Sequence, residues 1–260
     1  MSTVPLTVEP AVAPAEPRQH PPNLTGGEEK RSFVQRLFTR IAPRYDWFNR
    51  LASMGLDQRW RRELVWRAEI APGMRVLDIC TGTGDLAVLC AERQGGIGEV
   101  IGVDMNAAML SCARRKQQAR GLAIQWLEGD AQALPFPDNH FDRVVIGFST
   151  RNLSDLMAGL RDMTRVLRPQ GRLLILETGC PANPLMRAGY QLFLFTVAPV
   201  IGFVLTGRMW PFIYLARSVR HFLTPQTVVE RLQAVGTDAT YVPLSGGLAS
   251  VYIATKQRVE

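Results

Sequence analysis

The stretch Val76-Leu77-Asp78-Ile79-Cys80-Thr81-Gly82-Thr83-Gly84-Asp85 constrains this chain more than any other. An apolar run from Met74 to Ile79 leads into a tight glycine turn, and a helical pattern from Asp85 to Arg93 follows directly. Strand, turn and helix N-terminus in that order mark the place where α/β sheets hold nucleotide-like ligands. The glycines allow positive φ and let a ligand approach the backbone closely. Gly82-x-Gly84-x-x-Ala87 fits a dinucleotide fingerprint, with Asp104 about 20 residues further on as that fingerprint expects. The charges argue otherwise. Asp78 and Asp85 bracket the turn, and two carboxylates repel a pyrophosphate. They attract a ligand that carries an ammonium and a sulfonium, which describes S-adenosylmethionine. A plain turn with no ligand is the bland alternative.

An α/β alternation surrounds this turn. Strands are expected at 74–79, 99–104, 123–127, 142–148 and 171–177, with helices at 84–93, 106–120 and 154–167. Asn106 is a candidate N-cap, and Arg168-Pro169 with Gly171 punctuates the exit of the third helix. A last helix over 225–235, with Thr224 as N-cap, precedes two strands at 239–244 and 248–255. Ser245-Gly246-Gly247 between them predicts an antiparallel hairpin. Asp78, Asp104 and Asp130 recur at a spacing of 26 residues. Each falls at the C-terminal end of an expected strand, so the three carboxylates line one edge of a parallel sheet. Asp104 suits two ribose hydroxyls and Asp130 an adenine amino group, with Met105 against the ring. Asp85 or Asp78 suits the ammonium. Taken singly, each Asp also fits a helix cap or a solvated loop.

The flanking segments differ from this core. Residues 1–28 hold six prolines and read as a disordered tail outside the fold. They contain no continuous apolar segment of the signal-peptide kind. Residues 29–70 form a helical cap: Phe33, Leu37 and Ile41 share one face of a helix that Pro43 ends, and a second helix covers 56–69. From Arg31 to Arg67 nine arginines face three acids, so this segment supplies most of the net charge of +7. Residues 183–222 form a helical insertion. Its apolar run, Leu192 to Leu205, is 14 residues long, short of the roughly 20 that span a bilayer. It is expected to be a core helix, a lid over an apolar substrate, or an element lying in a membrane interface. Cys80, Cys90, Cys112 and Cys180 show neither zinc spacing nor a disulfide framework. Buried free thiols in a reducing cytosol are expected, and no metal site.

From about Phe33 to Lys256 the chain resembles the ubiquinone/menaquinone biosynthesis C-methyltransferase family. The resemblance is carried by Phe38-x-x-Ile41-Ala42-x-x-Tyr45-Asp46-x-x-Asn49, Ser53-x-Gly55 and Trp60-Arg61, and by Asp78-x-x-Thr81-Gly82-Thr83-Gly84-Asp85. Leu134-Pro135-Phe136-Pro137-Asp138, Arg151-Asn152, Asn183-Pro184-Leu185, Tyr214-Leu215-x-x-Ser218 and Gly246-Gly247 are similar too. The first signature discriminates most, because the glycine loop recurs across class I S-adenosylmethionine-dependent methyltransferases. The chain departs from the family at Gly147, where Ser is frequent, at Thr150, where Leu is usual, and at Glu177-Thr178-Gly179, where Glu-Phe-Ser is usual. Thr206 to Phe212 also lacks the family's acidic residues.

The resemblance implies a Rossmann-like class I fold: a mostly parallel seven-stranded sheet, a C-terminal antiparallel hairpin and an N-terminal helical cap. It implies methylation of a ring carbon of a prenylated quinol, with Thr83, Asp104, Asp130 and Ala131 as cofactor contacts beside Thr81, Gly82 and Gly84. The sulfonium is already an activated donor, so the site need only stabilise a phenolate and accept a proton. Arg151 stays protonated and suits the phenolate or a water. Tyr45 and Asp46 suit the quinol hydroxyl, with Asp46 the stronger candidate proton acceptor. The structural alternatives are a Tyr45–Asp46 clamp on the N-terminal helix and an ion pair from Arg151 to Asp155. A bilayer-resident substrate and a basic amphipathic surface together predict a cytoplasmic enzyme in peripheral contact with membrane lipid. A homodimer is allowed. Nucleic acid is not an expected partner: the segment after the fourth strand, Gly147 to Arg151, lacks a base-methylating motif, and interleaved stacking aromatics are absent. Another lipid phenol or sterol as acceptor, or a non-catalytic scaffold, are the rival readings.

Overall fold

The computed structural model describes residues 27–96 and 98–258. The expected tail therefore lies almost wholly outside the described residues, and its last two positions, Gly27 and Glu28, open the first helix. Three N-terminal helices, α1 (Gly27–Ile41), α2 (Tyr45–Ser53) and α3 (Leu56–Arg67), precede the sheet. The aromatic cluster at Tyr45-Asp46-Trp47-Phe48-Asn49, read from sequence only as a polar-aromatic segment, is the body of α2. Pro43 ends α1 in a short 3-10 turn at Ala42–Arg44 from which α2 departs.

The sheet elements are β1 (Arg75–Ile79), α4 (Asp85–Gln94), β2 (Glu99–Asp104), α5 (Ala107–Gln118), β3 (Gln125–Glu128), β4 (Phe141–Gly147), α6 (Leu156–Val166) and β5 (Leu167–Thr178). An insertion follows: α7 (Pro184–Phe195), α8 (Val197–Thr206) and α9 (Trp210–Arg220). Then come α10 (Pro225–Gln233), β6 (Thr237–Leu244) and β7 (Ala249–Lys256). The strand order is β3-β2-β1-β4-β5-β7-β6. The first five strands run parallel, and β7 runs antiparallel to both β5 and β6. This is the class I methyltransferase sheet the resemblance implies, closed by the expected hairpin.

Strand alternation sorts the core into two layers. Leu77, Ile79, Val144, Ile146, Leu173 and Ile175 face one layer, with α6 and α10. Val76, Val145, Leu174 and Leu176 face the other, with α3 and α4. A third cluster, Phe33, Leu37, Phe48, Phe212 and Tyr214, welds the cap to the insertion. The caps follow the sequence closely. Asn106 Oδ1 accepts from the amides of Ala108 at 3.0 Å and Met109 at 3.2 Å, and Thr224 caps α10.

Three expectations need correction. Arg168-Pro169 and Gly171 do not end a helix; α6 stops at Val166, and these residues make an irregularity at the start of β5, where its register against β4 shifts. The apolar insertion is not one short helix. Helices α7 and α8 meet at Thr196 and together form a 23-residue apolar stretch, Pro184–Thr206, long and apolar enough by length and composition to cross a membrane. Only 22% of its most apolar window is buried, so it is not a core helix. Of the four cysteines expected to be buried, only Cys90 is; Cys80 and Cys112 are partly buried and Cys180 is exposed.

Candidate active site

The glycine loop is held from below by two carboxylates. Asp78 Oδ2 accepts the Thr81 hydroxyl at 2.5 Å and the Ala87 amide at 2.9 Å, which fixes the start of α4. Its other oxygen, Oδ1, is buried without a hydrogen-bond partner. Asp104 accepts the Gly82 amide at 2.8 Å and the Asn106 amide at 2.8 Å. Each of its oxygens keeps a free lone pair for a ligand hydroxyl. Burial pushes the Asp78 carboxyl up to about 7 and the Asp104 carboxyl up to about 6, against the pull of those hydrogen bonds. Burial also pushes on Asp85, but Arg61 and Lys116 outweigh it and hold that carboxyl below the ordinary range.

The loop needs its glycines for a further reason. Gly84 has φ +82°, and a Cβ there would lie 2.6 Å from the Trp126 ring, which also packs against Gly102. The indole thus wedges the loop against β2. At Gly147, a Cβ would come 2.8 Å from Leu86 Cδ1, so the serine frequent at this place would require Leu86 to move.

These groups enclose a cavity of about 90 Å³ lined by Asp78, Thr81, Gly82, Thr83, Asp85, Asp104 and Met105. Helix α1 roofs it through Val34, Gln35 and Phe38. Gln35 donates to the Met105 carbonyl at 3.3 Å, and Asn106 donates back to the Gln35 carbonyl at 2.9 Å. Pockets that bury a drug-sized ligand run about 300–1,000 Å³, so the ligand-free cavity under α1 is narrow. Asp130 and Ala131 do not line this cavity. Asp130 pairs with Arg31 of α1 at 3.0 Å and accepts from Gln132, while Ala131 is buried in the core. The donor set fits S-adenosylmethionine: an unpartnered buried carboxylate oxygen for an ammonium, a two-oxygen acceptor for hydroxyls, and an apolar roof.

A second cavity, of about 490 Å³, adjoins the first and shares Phe38, Tyr45 and Asn152 with it. Its walls are mostly apolar and come from α1, α2 and the insertion, including Phe48, Phe193, Leu194 and Phe212. Its polar groups are few: Tyr45, Asn49, Arg151, Asn152, Tyr190 and Tyr214 among them. Burial pushes the Tyr190 and Tyr214 phenols up to about 12, with Arg151 pulling the other way, and raises Tyr45 as well. All three remain neutral at physiological pH.

Arg151 is buried and pairs with Glu177, not with Asp155. Asp155 instead caps α6, accepting from Ala158 at 3.0 Å. Glu177 is fully buried and also accepts the Thr150 hydroxyl at 2.7 Å and the Thr178 amide at 2.9 Å. Thr150, where the resembling family carries Leu, is therefore a second support for Glu177. Arg151 Nε has no protein partner although it is buried.

Asp46 is not brought to the apolar cavity. Its carboxylate accepts the Thr83 hydroxyl at 2.5 Å and pairs with Lys116 at 2.9 Å, so it ties α2 to the glycine loop. The carboxylate that does line the apolar cavity is Asp57, held by Ser53 at 3.0 Å and Arg61 at 3.0 Å. Sequence reasoning did not single out Asp57 and Tyr190, which line the apolar cavity, Arg61, which lines the smaller one, or Glu177, which pairs with Arg151. For Asp57, Arg61 and Glu177 the motif context was visible; for Tyr190, on α7, nothing local pointed to a site.

Comparisons with known proteins bear on the family and the fold. The chain is 42% identical over 217 residues to a demethylmenaquinone methyltransferase of Thermus thermophilus, covering 84% of this chain and 98% of that protein. It is 36% identical over 228 residues to the ubiquinone/menaquinone biosynthesis C-methyltransferase UbiE of Shewanella sp. (strain ANA-3), covering 86% and 91%. Among solved structures, a putative S-adenosyl-L-methionine-dependent methyltransferase from Methanococcus maripaludis superposes with TM-score 0.61 at 20% identity, over 85% of this chain and 94% of that one. That likeness shows the shared fold. The ubiE/COQ5 methyltransferase family profile matches residues 24–256, and with these relatives it establishes that the chain belongs to the ubiE/COQ5 methyltransferase family.

Proposed function

We propose that this protein is an S-adenosylmethionine-dependent C-methyltransferase of menaquinone or ubiquinone biosynthesis, and that the prenylated quinol ring occupies the 490 Å³ cavity with an oxygen at Arg151. The observation that carries the reading is the junction of the two cavities at Phe38, Tyr45 and Asn152. A polar, acidic chamber built for a cationic donor opens there onto an apolar chamber built for a ring and its isoprenoid tail.

When bound, the cofactor supplies an activated methyl group, so no metal has to be invoked. The chain supplies position and charge. Arg151 stabilises negative charge on the acceptor oxygen, which raises the nucleophilicity of the neighbouring ring carbon. Glu177, Thr150 and Thr178 hold the guanidinium in place, and its unpartnered Nε supports a role in receiving a ligand oxygen. Tyr45 and Asn152, at the junction, orient the ring toward the donor. Asp57 takes the proton, being the carboxylate on the cavity wall; Asp46 fixes the cap to the loop.

The insertion suits contact with a lipid surface. Leu185, Leu192, Val200, Phe203 and Val204 are exposed on α7 and α8, and Met54 is exposed just past the end of α2. From Thr178 to Val229 the chain carries no acidic residue and four arginines, Arg187, Arg208, Arg217 and Arg220. Basic residues near an anionic leaflet contribute about 1 kcal/mol each.

Methyl transfer from labelled S-adenosylmethionine to a panel of reduced quinones tests the assignment. The panel holds demethylmenaquinol, a benzoquinol precursor and a lipid-phenol control, each presented in liposomes. Product on a quinol is expected. No product on either quinol, with cofactor binding intact, would transfer the weight to another lipid acceptor or to a scaffold.

A further inference from the structure

The amino-acid end of S-adenosylmethionine is a zwitterion, and the acidic residues described above account for only one of its charges. The cofactor cavity is lined by three carboxylates, Asp78, Asp85 and Asp104. An α-carboxylate placed among them without a cation would be repelled. One cationic side chain lines that cavity among the described residues: Arg61, on helix α3 of the cap.

Arg61 is 6% exposed, and its position is fixed on three sides. Nη1 donates to Asp57 Oδ2 at 3.0 Å, Nε lies 3.7 Å from Asp85 Oδ2, and the guanidinium carbon sits 5.0 Å from the Phe148 ring centroid. Neither acid contact uses Nη2. Lys116, the other cation near the loop, pairs with Asp46 and Asp85 and does not line the cavity. Arg61 and Asp85 therefore present opposite charges side by side on the cavity wall, which matches an ammonium and a carboxylate borne by one carbon. A planar guanidinium also suits a carboxylate better than an ammonium does.

We propose that Arg61 binds the α-carboxylate of the cofactor's methionyl group, beside the carboxylates of Asp78 and Asp85 that serve the ammonium. The proposal rests on the cofactor assignment above and extends it to a residue of the cap. A purely structural Arg61, present only to neutralise Asp57 and Asp85, is the alternative to be separated.

Isothermal titration calorimetry on the full chain separates them with three ligands: S-adenosylmethionine, S-adenosylhomocysteine and decarboxylated S-adenosylmethionine, which keeps the amine and sulfonium but lacks the carboxylate. Wild-type protein should bind the decarboxylated ligand at least about tenfold more weakly than S-adenosylmethionine. R61Q should weaken both carboxylate ligands about 10–100-fold and leave the decarboxylated ligand within about twofold. R61K should recover part of the loss. Equal weakening of all three ligands in R61Q, or a wild type that does not distinguish them, would overturn the proposal. If R61Q fails to fold, R61K carries the test: it should weaken the two carboxylate ligands and spare the decarboxylated one, and equal weakening of all three would overturn the proposal. No quinol enters the measurement, so failure here leaves the acceptor assignment standing, whereas a wild type that binds none of the ligands removes the cofactor reading and this proposal together.

Discussion

The two chambers of the site are built in opposite ways. The cofactor chamber sits on the C-terminal edge of β1 and β2, and its two strand-end acids, Asp78 and Asp104, are fixed by backbone amides and the Thr81 hydroxyl. The acceptor chamber is made almost wholly of helices from the cap and the insertion, and much of the insertion's surface faces outward. The first is small and tightly determined. The second is large and shaped by side-chain packing, with one buried cation as its main polar feature. A sheet edge fixes backbone donors to fractions of an ångström and so suits a constant ligand. Packed helices tolerate exchange of apolar side chains and so suit an acceptor with a long, variable tail.

The largest expected effect separates the chambers by function. R151Q should lower kcat by about 10²–10³-fold, as loss of a charge-stabilising donor does, with S-adenosylhomocysteine affinity within about twofold of wild type. The substitution also strips Glu177 of its buried partner, which costs roughly 3–5 kcal/mol of stability. The double variant R151M/E177Q should recover stability in urea denaturation without recovering turnover. A simultaneous loss of cofactor binding in a folded R151Q would show that the two chambers are not separable in this way.

Glycine substitutions probe the same contrast through stability. G84A places a Cβ against Trp126 and Ala113 at positive φ, and should destabilise by about 2–4 kcal/mol with weaker cofactor binding. G189A, on the wall of the acceptor chamber, meets nothing within 4 Å. Sitting inside α7, it should be stabilising by up to about 1 kcal/mol. Equal losses at the two positions in chemical denaturation would contradict the difference in packing.

The pH dependence should also belong to one chamber. Asp78 is raised by burial to about 7 in the folded chain, from 3.8, and Asp104 to about 6. A carboxyl raised on folding contributes its full stability below the unfolded value and loses it as pH rises through the folded value. The ligand-free protein should therefore lose stability from these groups between about pH 4 and 7, on the order of 4 kcal/mol for Asp78. D78N should flatten that part of the profile in pH-dependent denaturation. Cofactor affinity should run the other way, rising with pH through about 7 as Asp78 ionises and attracts the ammonium. The acceptor chamber's tyrosines should not contribute, since Tyr190 and Tyr214 titrate only near 12.

The smallest effect concerns the outer face of the insertion. Val204 is 77% exposed on α8. V204D should weaken binding to anionic vesicles several-fold, on the order of 1–2 kcal/mol, while turnover of a soluble short-chain quinol stays the same. Vesicle binding that is absent at low salt in the wild type would remove the lipid-surface reading.

Much of the cofactor chamber was legible in the sequence because its determinants are local. The glycine turn and the Asn106 cap depend on neighbours within a few residues, the acids mark the ends of single strands, and the strand alternation that builds both core layers is a period-2 pattern. The acceptor chamber was far less legible. Tyr45 and Arg151 were placed in it from family motifs, but Asp46, expected to be the proton acceptor, does not line it. The reason is that Thr83, 37 residues away, and Lys116 of α5 reach it first. Asp130 likewise stands at the expected strand end, yet Arg31 from the cap occupies it.

The order of residues alone settled the α/β class, the glycine loop, the acid at the end of β2 and the family. Those follow from short-range sterics and from side-chain periodicity along single elements. The fold decided which carboxylate faces which cation: Glu177 beneath Arg151, Asp85 beside Arg61, Asp57 on the wall of the acceptor chamber. Such pairings join residues from different strands and helices, and they exist only once the strand order 3-2-1-4-5-7-6 has brought β5 beside β4 and the cap helices have closed over the end of β1.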